Sequence, residues 1–221
     1  MGQEGTAMAL GVIRVVSLEE PADINAHGLL MEQFAGIHTV SMSIADQPDG
    51  VHDTISENTA VPKIISLAEQ LSFTTEIDAI TVSCAADPAV DQLRKKLGVA
   101  VFGAGECGAN IARVAGSRVG VIGITELVPK GIATVLGNSF FGYRHSDRAK
   151  QTTSLCSAGV LEDLTEHASD LAGLGADVLL FACTGFSGIG LKEHLRNHVS
   201  TPIIDLIEAQ ATSYALLRGT R

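Results

Sequence analysis

An internal repeat limits the folds available to this chain more than any other feature of its sequence. The segment Asp78-Ala-Ile-Thr-Val-Ser-Cys84 resembles Asp177-Val-Leu-Leu-Phe-Ala-Cys183, so two aspartates and two cysteines recur 99 residues apart. Each copy continues through a helical pattern, a short apolar run, a glutamate and another helical pattern. Duplication of a whole β-Cys-α-β-α unit predicts two homologous lobes.

Short apolar runs alternate with helical patterns along the whole chain. The strand candidates are Leu10–Val16, Thr39–Ile44, Ala79–Ser83, Val99–Phe102, Val119–Ile124, Val178–Ala182 and Pro202–Ile204. The helix candidates are Val61–Leu71, Pro88–Leu97, Asn110–Ala115, Val160–Leu174, Leu191–His198 and Ile207–Leu217. Continuous apolar runs are typical of strands covered on both faces, and this alternation predicts parallel sheets.

The repeat and the alternation together predict an α/β fold with two pseudo-symmetric lobes. Each lobe is expected to be a parallel sheet flanked by helices, with an active site in the cleft between them. We expect residues 1–102 with 205–221 to form the first lobe, and 103–204 to form the second. The polar segment 138–157 is interpreted as a linker or mobile flap. Asp87-Pro88 is interpreted as a helix start capped by Asp87.

The charge balance and the cysteine spacing narrow the function. A net charge of −10 argues against nucleic acids and anionic membrane surfaces, because both require clustered basic residues. A small-molecule substrate is the partner class that remains. No apolar stretch approaches the 18 or so residues of a membrane span, and the first residues lack the features of a secretory signal. The four cysteines show no zinc-like pairing, so we expect free thiols in a cytoplasmic protein.

The position of the two repeated cysteines points to chemistry. A side chain just beyond the carboxyl end of a parallel strand projects into the crevice in which α/β proteins bind ligands. Free amides of the following helix are expected to lower the pKa of each thiol. Two lobes related by a pseudo-twofold axis would bring Cys84 and Cys183 face to face. A lone cysteine there is usually a small buried hydrophobe, and that interpretation stands for Cys107 and Cys156, which lack the symmetry.

Two opposed thiols suit inversion of a stereocentre next to a carbonyl. One thiolate removes a proton from one face of the carbon, and the opposed thiol returns a proton to the other face. Backbone amides after the cysteines can hold the developing enolate oxygen. The sequence therefore predicts acid/base catalysis that uses neither a metal nor an organic cofactor.

The chain resembles the aspartate/glutamate/hydantoin racemase superfamily. The resemblance extends from Gly11-Val-Ile-Arg-Val-Val to the last helix and is most specific at Ser83-Cys-Ala-Ala-Asp-Pro and Ala182-Cys-Thr-Gly-Phe-Ser-Gly. It implies two lobes, one catalytic cysteine from each, cofactor-independent racemisation and a homo-oligomer.

Within that superfamily the motifs are most similar to those of hydantoin racemase. Members that act on free acidic amino acids usually follow the first cysteine with Asn-Thr, where this chain has Ala85-Ala86. Glutamate racemases usually place His two residues after the second cysteine, where Gly185 stands. These departures favour 5-substituted hydantoins, with a free amino acid as the alternative substrate. The candidate substrate-binding residues are Ala85, Ala86, Asp87, Thr184, Gly185, Arg14, Ser17, Thr125 and Glu126.

Other functions stay open. Gly103-Ala-Gly105-Glu-Cys-Gly108 has the literal form of a dinucleotide-binding loop, with Glu126 as a candidate ribose ligand, and would suit an NAD-dependent oxidoreductase. However, the motif starts only after about a hundred residues, whereas the fingerprint normally opens its βαβ unit. A cysteine-dependent isomerase or decarboxylase and a two-lobed ligand-binding protein are further alternatives. His194 and His198 have zinc-like i, i+4 spacing, but Leu195 replaces the catalytic glutamate, so no metal is expected there.

Overall fold

Parallel strands form two four-stranded sheets in the computed structural model, which describes residues 8–74 and 76–219. The first sheet has the order β2-β1-β3-β4, and the second has the order β6-β5-β7-β8. The strands are β1 (Ala9–Arg14), β2 (Thr39–Ser43), β3 (Ile77–Ser83), β4 (Ala100–Gly103), β5 (Val119–Gly123), β6 (Phe140–His145), β7 (Val178–Phe181) and β8 (Ile203–Ile204). Both sheets thus place their strands in the same order, which confirms the predicted two-lobed α/β fold.

Helices cover both sheets. They are α1 (Pro21–Ala35), α2 (Thr54–Thr74), α3 (Val90–Lys96), α4 (Ala104–Ala115), α5 (Lys130–Leu136), α6 (Val160–Gly173), α7 (Gly185–Gly188), α8 (Leu191–Leu195) and α9 (Leu206–Arg218). Short 3₁₀ turns occupy Gly137–Ser139 and Thr152–Ser154. The cores between helices and sheets are mainly aliphatic, and the central strands β1, β5 and β7 are buried along their whole length. Burial of these apolar runs is the main force that holds each lobe together.

The two repeated aspartates have structural roles at the starts of equivalent strands. Asp78 in β3 accepts a hydrogen bond from the Tyr214 hydroxyl (2.6 Å) and forms an ion pair with Arg218, both in α9. Asp177, just before β7, accepts hydrogen bonds from the backbone amides of Ser117 (3.1 Å) and Arg118 (2.8 Å). The repeated aspartates therefore anchor strands and lie at the opposite strand ends from the cysteines.

Helices α4 and α9 lie at the two proposed boundaries between the lobes. Strand β4 pairs with β3 in the first sheet, whereas α4, which follows it directly, packs against α5 and β7. Helix α9 packs against α1 on one side and α4 on the other. Because α9 contacts helices of both lobes, the division at residues 103 and 205 stays a prediction.

The interpretation of segment 138–157 as a linker or flap is wrong for a large part of its length. Residues 140–145 form β6, which pairs with β5 as the parallel edge strand of the second sheet. All six residues of β6 are half-buried, so they form no continuous apolar run that the sequence could reveal. Farther along, Ala149 and Leu155 are buried in the core of the second lobe. The segment is an integral part of that lobe.

Candidate active site

A cavity of about 760 Å³ lies where the carboxyl ends of the central strands meet. Its walls include residues that follow β1, β3, β5 and β7, together with side chains from α1 and from the start of α2. Cavities of several hundred Å³ at this position in α/β proteins commonly bind small molecules. The predicted cleft is therefore present between the two sheets.

Cys84 and Cys183 both line this cavity. Cys84 directly follows β3 and is half-buried, whereas Cys183 follows β7 and is buried. The loops that carry them are in direct contact, because the Thr184 hydroxyl donates a hydrogen bond to the backbone carbonyl of Ser83 (3.3 Å). The structure thus brings both predicted catalytic thiols to one site.

The expectation that helix amides would bring the thiol pKa values down is wrong in its net effect, because burial outweighs the amides. Burial raises the pKa of Cys84 to about 12 and that of Cys183 to about 11, because desolvation disfavours the thiolate. Hydrogen bonds oppose this effect, from the Ala86 amide to Cys84 and from the amides of Gly185 and Phe186 and the Thr152 hydroxyl to Cys183. The helix that follows Cys84 begins only at Val90, too far along the chain for its amides to contribute.

Six of the candidate substrate-binding residues line the cavity: Arg14, Ala85, Ala86, Thr125, Glu126 and Thr184. Ser17 does not, because it bonds to the backbone of Gln47, with its hydroxyl accepting from the Gln47 amide (2.6 Å). Gly185 lies against Thr152 and Leu155, where an added Cβ would stand 2.5 Å from Leu155 Cδ1. Its contribution to the site is its amide, which donates to Cys183.

Asp87 points away from the cavity, and the interpretation of Asp87-Pro88 as a helix start is wrong. Asp87 has φ +55° and Ala89 has φ +65°, so the chain turns before α3 starts at Val90. The Asp87 carboxylate instead accepts hydrogen bonds from the amides of Gly105 (2.7 Å) and Glu106 (2.6 Å) in the first turn of α4. A carboxylate at that place satisfies free helix amides and complements the helix dipole.

This contact explains the glycines that imitate a dinucleotide-binding motif. A Cβ on Gly103 would lie 2.1 Å from Asp87 Oδ1, and one on Gly105 would lie 2.3 Å from the Ala85 carbonyl oxygen. A Cβ on Gly108 would lie 2.4 Å from Leu206 Cδ2, where α4 packs on α9. The missing side chains of these glycines therefore leave room for Asp87, the Cys84 loop and α9. The Asp87 carboxylate occupies the place at the start of α4 where a dinucleotide phosphate would bind.

His27 is a cavity residue that the sequence did not reveal. It lies in α1, only 4% exposed, and its Nδ1 is 2.8 Å from the Ser83 hydroxyl. Helix α1 was not among the predicted helices, although Pro21 at its first turn and Gly36 at its C-terminal cap are recognisable signals. Lys130, Lys150 and Thr152 also line the cavity and were likewise missed.

Three side chains in the described residues have metal-ligating atoms within 4.8 Å of one another: Asp147, Asp163 and His167. None of them lines the cavity. Asp163 already accepts hydrogen bonds from the Ser146 hydroxyl (2.5 Å) and the Asp147 amide (3.1 Å), which accounts for the cluster without an ion. His194 and His198 stack with ring centroids 4.7 Å apart, and His198 Nδ1 bonds to the backbone carbonyl of His194.

Comparisons with known proteins place this geometry in context. The family model described as Asp/Glu/Hydantoin racemase matches residues 31–214. The fold is similar to allantoin racemase from Klebsiella pneumoniae, with a TM-score of 0.80 and 15% identity over 96% of this chain and 89% of that one. For allantoin racemase from Pseudomonas fluorescens the TM-score is 0.76 and the identity is 18%, over 96% of this chain and 92% of that one. For glutamate racemase RacE1 from Bacillus anthracis the TM-score is 0.68 and the identity is 14%, over 96% of this chain and 82% of that one.

A comparison with curated protein sequences found no match. In the part of the chain that the structure describes, no helix has the length and apolar character that a membrane crossing needs. All four cysteines are free thiols in the structure. Cys107 is buried, as expected, whereas Cys156 is exposed, so its interpretation as a small buried hydrophobe is wrong.

Proposed function

The chain belongs to the Asp/Glu/hydantoin racemase family, and we propose that it racemises 5-substituted hydantoins with Cys84 and Cys183 as its two acid/base groups. The observation that carries this proposal is the position of both thiols in one cavity, on loops tied together by the bond from Thr184 to Ser83. Four free cysteines also favour a reducing compartment, so we propose that the enzyme is cytoplasmic.

The proposed reaction is a proton transfer across the ring. The thiolate of one cysteine takes the proton from C5, the C–H electron pair moves toward the C4 carbonyl, and an enolate forms. The opposed thiol then gives its proton to the other face of C5 and becomes the thiolate. No atom or electron is gained or lost, and the reverse direction uses the same two groups with exchanged roles.

The enolate oxygen needs donors other than the backbone amides that follow the cysteines. The amides of Ala86, Gly185 and Phe186 are directed at the sulfur atoms, so they stabilise the thiolates. Arg14 is a better candidate for the enolate oxygen, because it lines the cavity and stays protonated at neutral pH with a pKa lowered to about 10 by burial. A preorganised cationic donor in a site shielded from water stabilises developing negative charge effectively.

The substrate class is supported by what surrounds the thiols. Ala85 and Ala86, next to Cys84, offer no side-chain partner for an ammonium group, and the wall contains Val15, Val16 and Ile124. The carboxylates of the wall are Asp53, Glu57 and Glu126. Two of the structural neighbours are allantoin racemases, and allantoin is a hydantoin with a substituent at C5. One observation favours the second candidate, a free amino acid: Lys130 and Lys150 line the cavity with Arg14 and could bind a carboxylate.

The proposal is tested by proton NMR in D2O with separate L and D samples of 5-substituted hydantoins, aspartate and glutamate. We expect enzyme-dependent loss of the C5 proton from both enantiomers of a hydantoin. Cys84→Ser and Cys183→Ser should each lower racemisation by about 1000-fold, since a positioned acid or base contributes roughly 100- to 10,000-fold. Cys156→Ser is the matched control, because Cys156 is exposed and does not line the cavity.

Spontaneous exchange is subtracted with the Cys84→Ser/Cys183→Ser double variant. Full racemase activity in both single variants would exclude the two-thiol mechanism. Exchange of aspartate or glutamate without any exchange of hydantoins would establish the second candidate.

A further inference from the structure

The buried histidine in the cavity wall has no role in the mechanism above. His27 is held there by close packing of α1 on β2, because its neighbour Gly28 has no side chain. A Cβ on Gly28 would lie 2.5 Å from Thr39 Oγ1 and 2.6 Å from Ser41 Oγ. The glycine thus lets α1 approach the sheet closely enough for the His27 ring to reach both Ser83 and the cavity.

A chain of hydrogen bonds favours the tautomer of His27 that has its proton on Nδ1. The Gln210 side-chain amide donates to Thr81 Oγ1 (2.5 Å), which turns Gln210 Oε1 toward Ser83. The Ser83 hydroxyl donates its only proton to that oxygen (3.4 Å). With Gln210 in this orientation the Ser83 oxygen accepts from His27, and Nδ1 is then the ring nitrogen that carries the proton (2.8 Å).

This arrangement leaves Nε2 of His27 as a hydrogen-bond acceptor. Burial and the nearby charge of Arg14 lower the pKa of His27 well below its usual 6.5, so the ring is neutral at physiological pH. Nδ1 is the ring nitrogen that hydrogen-bonds within the described residues, and Nε2 has no such partner among them. An imidazole that lines a cavity with a free lone pair can accept a hydrogen bond from a ligand.

Arg14 supplies a donor beside this acceptor. Its Nη1 bonds to the backbone carbonyls of Asp23 and Ile24 (3.2 Å), one turn before His27 on the same helix. Among the described residues the guanidinium hydrogen-bonds only to backbone carbonyls, and the nearby charge of Asp23 partly offsets the effect of its burial. The cavity wall therefore presents a hydrogen-bond acceptor and a cationic donor close together.

We propose that His27 and Arg14 recognise the N3–C4 amide edge of the hydantoin ring, with His27 Nε2 accepting from N3–H and the Arg14 guanidinium donating to the C4 carbonyl oxygen. This inference rests on the proposed function. It makes His27 a residue that selects cyclic ureides with a free N–H group, and it predicts which substrate analogues the enzyme rejects.

The test compares one 5-substituted hydantoin with its N1-methyl and N3-methyl analogues. In the wild type, methylation of the recognised nitrogen should lower kcat/KM by about 10-fold or more, because it leaves the acceptor unpaired. His27→Asn keeps a donor near the position of Nδ1 and removes Nε2. His27→Gln is the matched variant, because its amide reaches the position of Nε2 and its oxygen can accept.

We expect His27→Asn to lose activity toward the parent hydantoin and to lose its preference for the parent over the analogue methylated at that nitrogen. His27→Gln should retain that preference. An unchanged preference in His27→Asn, or an equal loss on all three substrates, would overturn the inference. Absence of wild-type activity on every hydantoin would instead refute the proposed function.

A second measurement keeps the inference testable if the variants fold poorly. Long-range ¹H–¹⁵N spectra of the wild-type protein, with histidine labelled, report which ring nitrogen is protonated. The expected pattern for His27 is a protonated Nδ1 and an unprotonated Nε2. A proton on Nε2 would exclude the acceptor role.

Discussion

Replacing Thr152 by valine tests how the site divides its roles between the two thiols. Thr152 lies in a 3₁₀ turn, and its hydroxyl hydrogen-bonds to Cys183. With the amides of Gly185 and Phe186 it gives Cys183 three donors, whereas Cys84 receives one, from Ala86. Cys183 accordingly has more hydrogen bonds to stabilise its thiolate than Cys84 has. It is therefore expected to form the thiolate first.

The size of the effect follows from the lost bond. Valine has nearly the shape of threonine, so the packing against Gly185 is kept while the donor is removed. A hydrogen bond to a charged group is worth about 1.5–3 kcal/mol, which corresponds to roughly one to two pKa units for the Cys183 thiol. At neutral pH the thiolate population on Cys183 falls by about 10- to 100-fold. This factor is an upper limit for the loss in kcat/KM, because the sulfur gives up part of its charge in the transition state.

The assay measures kcat/KM as a function of pH, by polarimetry that starts from each pure enantiomer of the 5-substituted hydantoin. The rate rises with pH as the thiolate forms, so Thr152→Val should move this acid limb about one to two pH units higher. The equilibrium constant of racemisation is one, so kcat/KM must fall by the same factor in both directions. Ionisation of the substrate is common to both enzymes and cancels in the comparison.

Thr152→Ser is the control, because it keeps the hydroxyl and should keep the wild-type profile. An unchanged acid limb in Thr152→Val would show that the hydroxyl does not stabilise the catalytic thiolate. Equal impairment of the serine and valine variants would assign the effect to packing of the turn.

Two further predictions concern the contact between the Cys84 loop and α4. Gly105→Ala should destabilise the protein by about 1–3 kcal/mol in chemical denaturation, because its Cβ would lie 2.3 Å from the Ala85 carbonyl oxygen. Gly98→Ala is the control, because the space around Gly98 is open and its stability should not change. Equal stability of the two variants would contradict the packing argument. Burial raises the pKa of Asp87 to about 7, so folding favours the protonated carboxyl and this group makes the protein less stable as pH rises from about 4 to about 7. Denaturation across that range should show Asp87→Asn gaining stability relative to the wild type, and a constant difference would contradict the raised pKa.

The repeat made the two sheets and both thiols predictable from the sequence. Strands such as β5 and β7 are buried on both faces, so their apolar runs are visible without any structure. The cysteines follow such runs directly, and the carboxyl ends of parallel strands meet at one edge of a sheet. Periodicity and position therefore sufficed to place Cys84 and Cys183 in one cavity.

The features that were missed depend on contacts between distant segments. Strand β6 is a half-buried edge strand, and its sequence has the mixed polarity of a loop. In α1 the buried positions His27, Gly28 and Met31 carry one polar residue and one glycine, which weakens the apolar periodicity. The role of Asp87 was also not readable locally, because its partners Gly105 and Glu106 belong to a different helix.

In each half of the site a buried carboxylate caps a helix behind the cysteine, but the carboxylate comes from a different segment in each half. Behind Cys84, the carboxylate of Asp87 comes from the cysteine loop and caps α4, whose own cap residue is Gly103. Behind Cys183, the carboxylate of Asp205 is itself the cap of α9, and the short helix α7 that follows the cysteine contributes Ser187, whose hydroxyl donates to it (2.7 Å).

In both halves a buried carboxylate connects the segment after the cysteine to the start of a later helix, α4 or α9. The same kind of contact therefore holds this segment in each lobe. Burial raises the pKa of Asp87 and of Asp205 alike, and each negative charge also raises the pKa of its neighbouring thiol. A reaction that exchanges the roles of two thiols requires similar surroundings for both. The residues that provide this contact have changed places between the lobes, and the similar surroundings of the two thiols fit the proposed exchange of their roles.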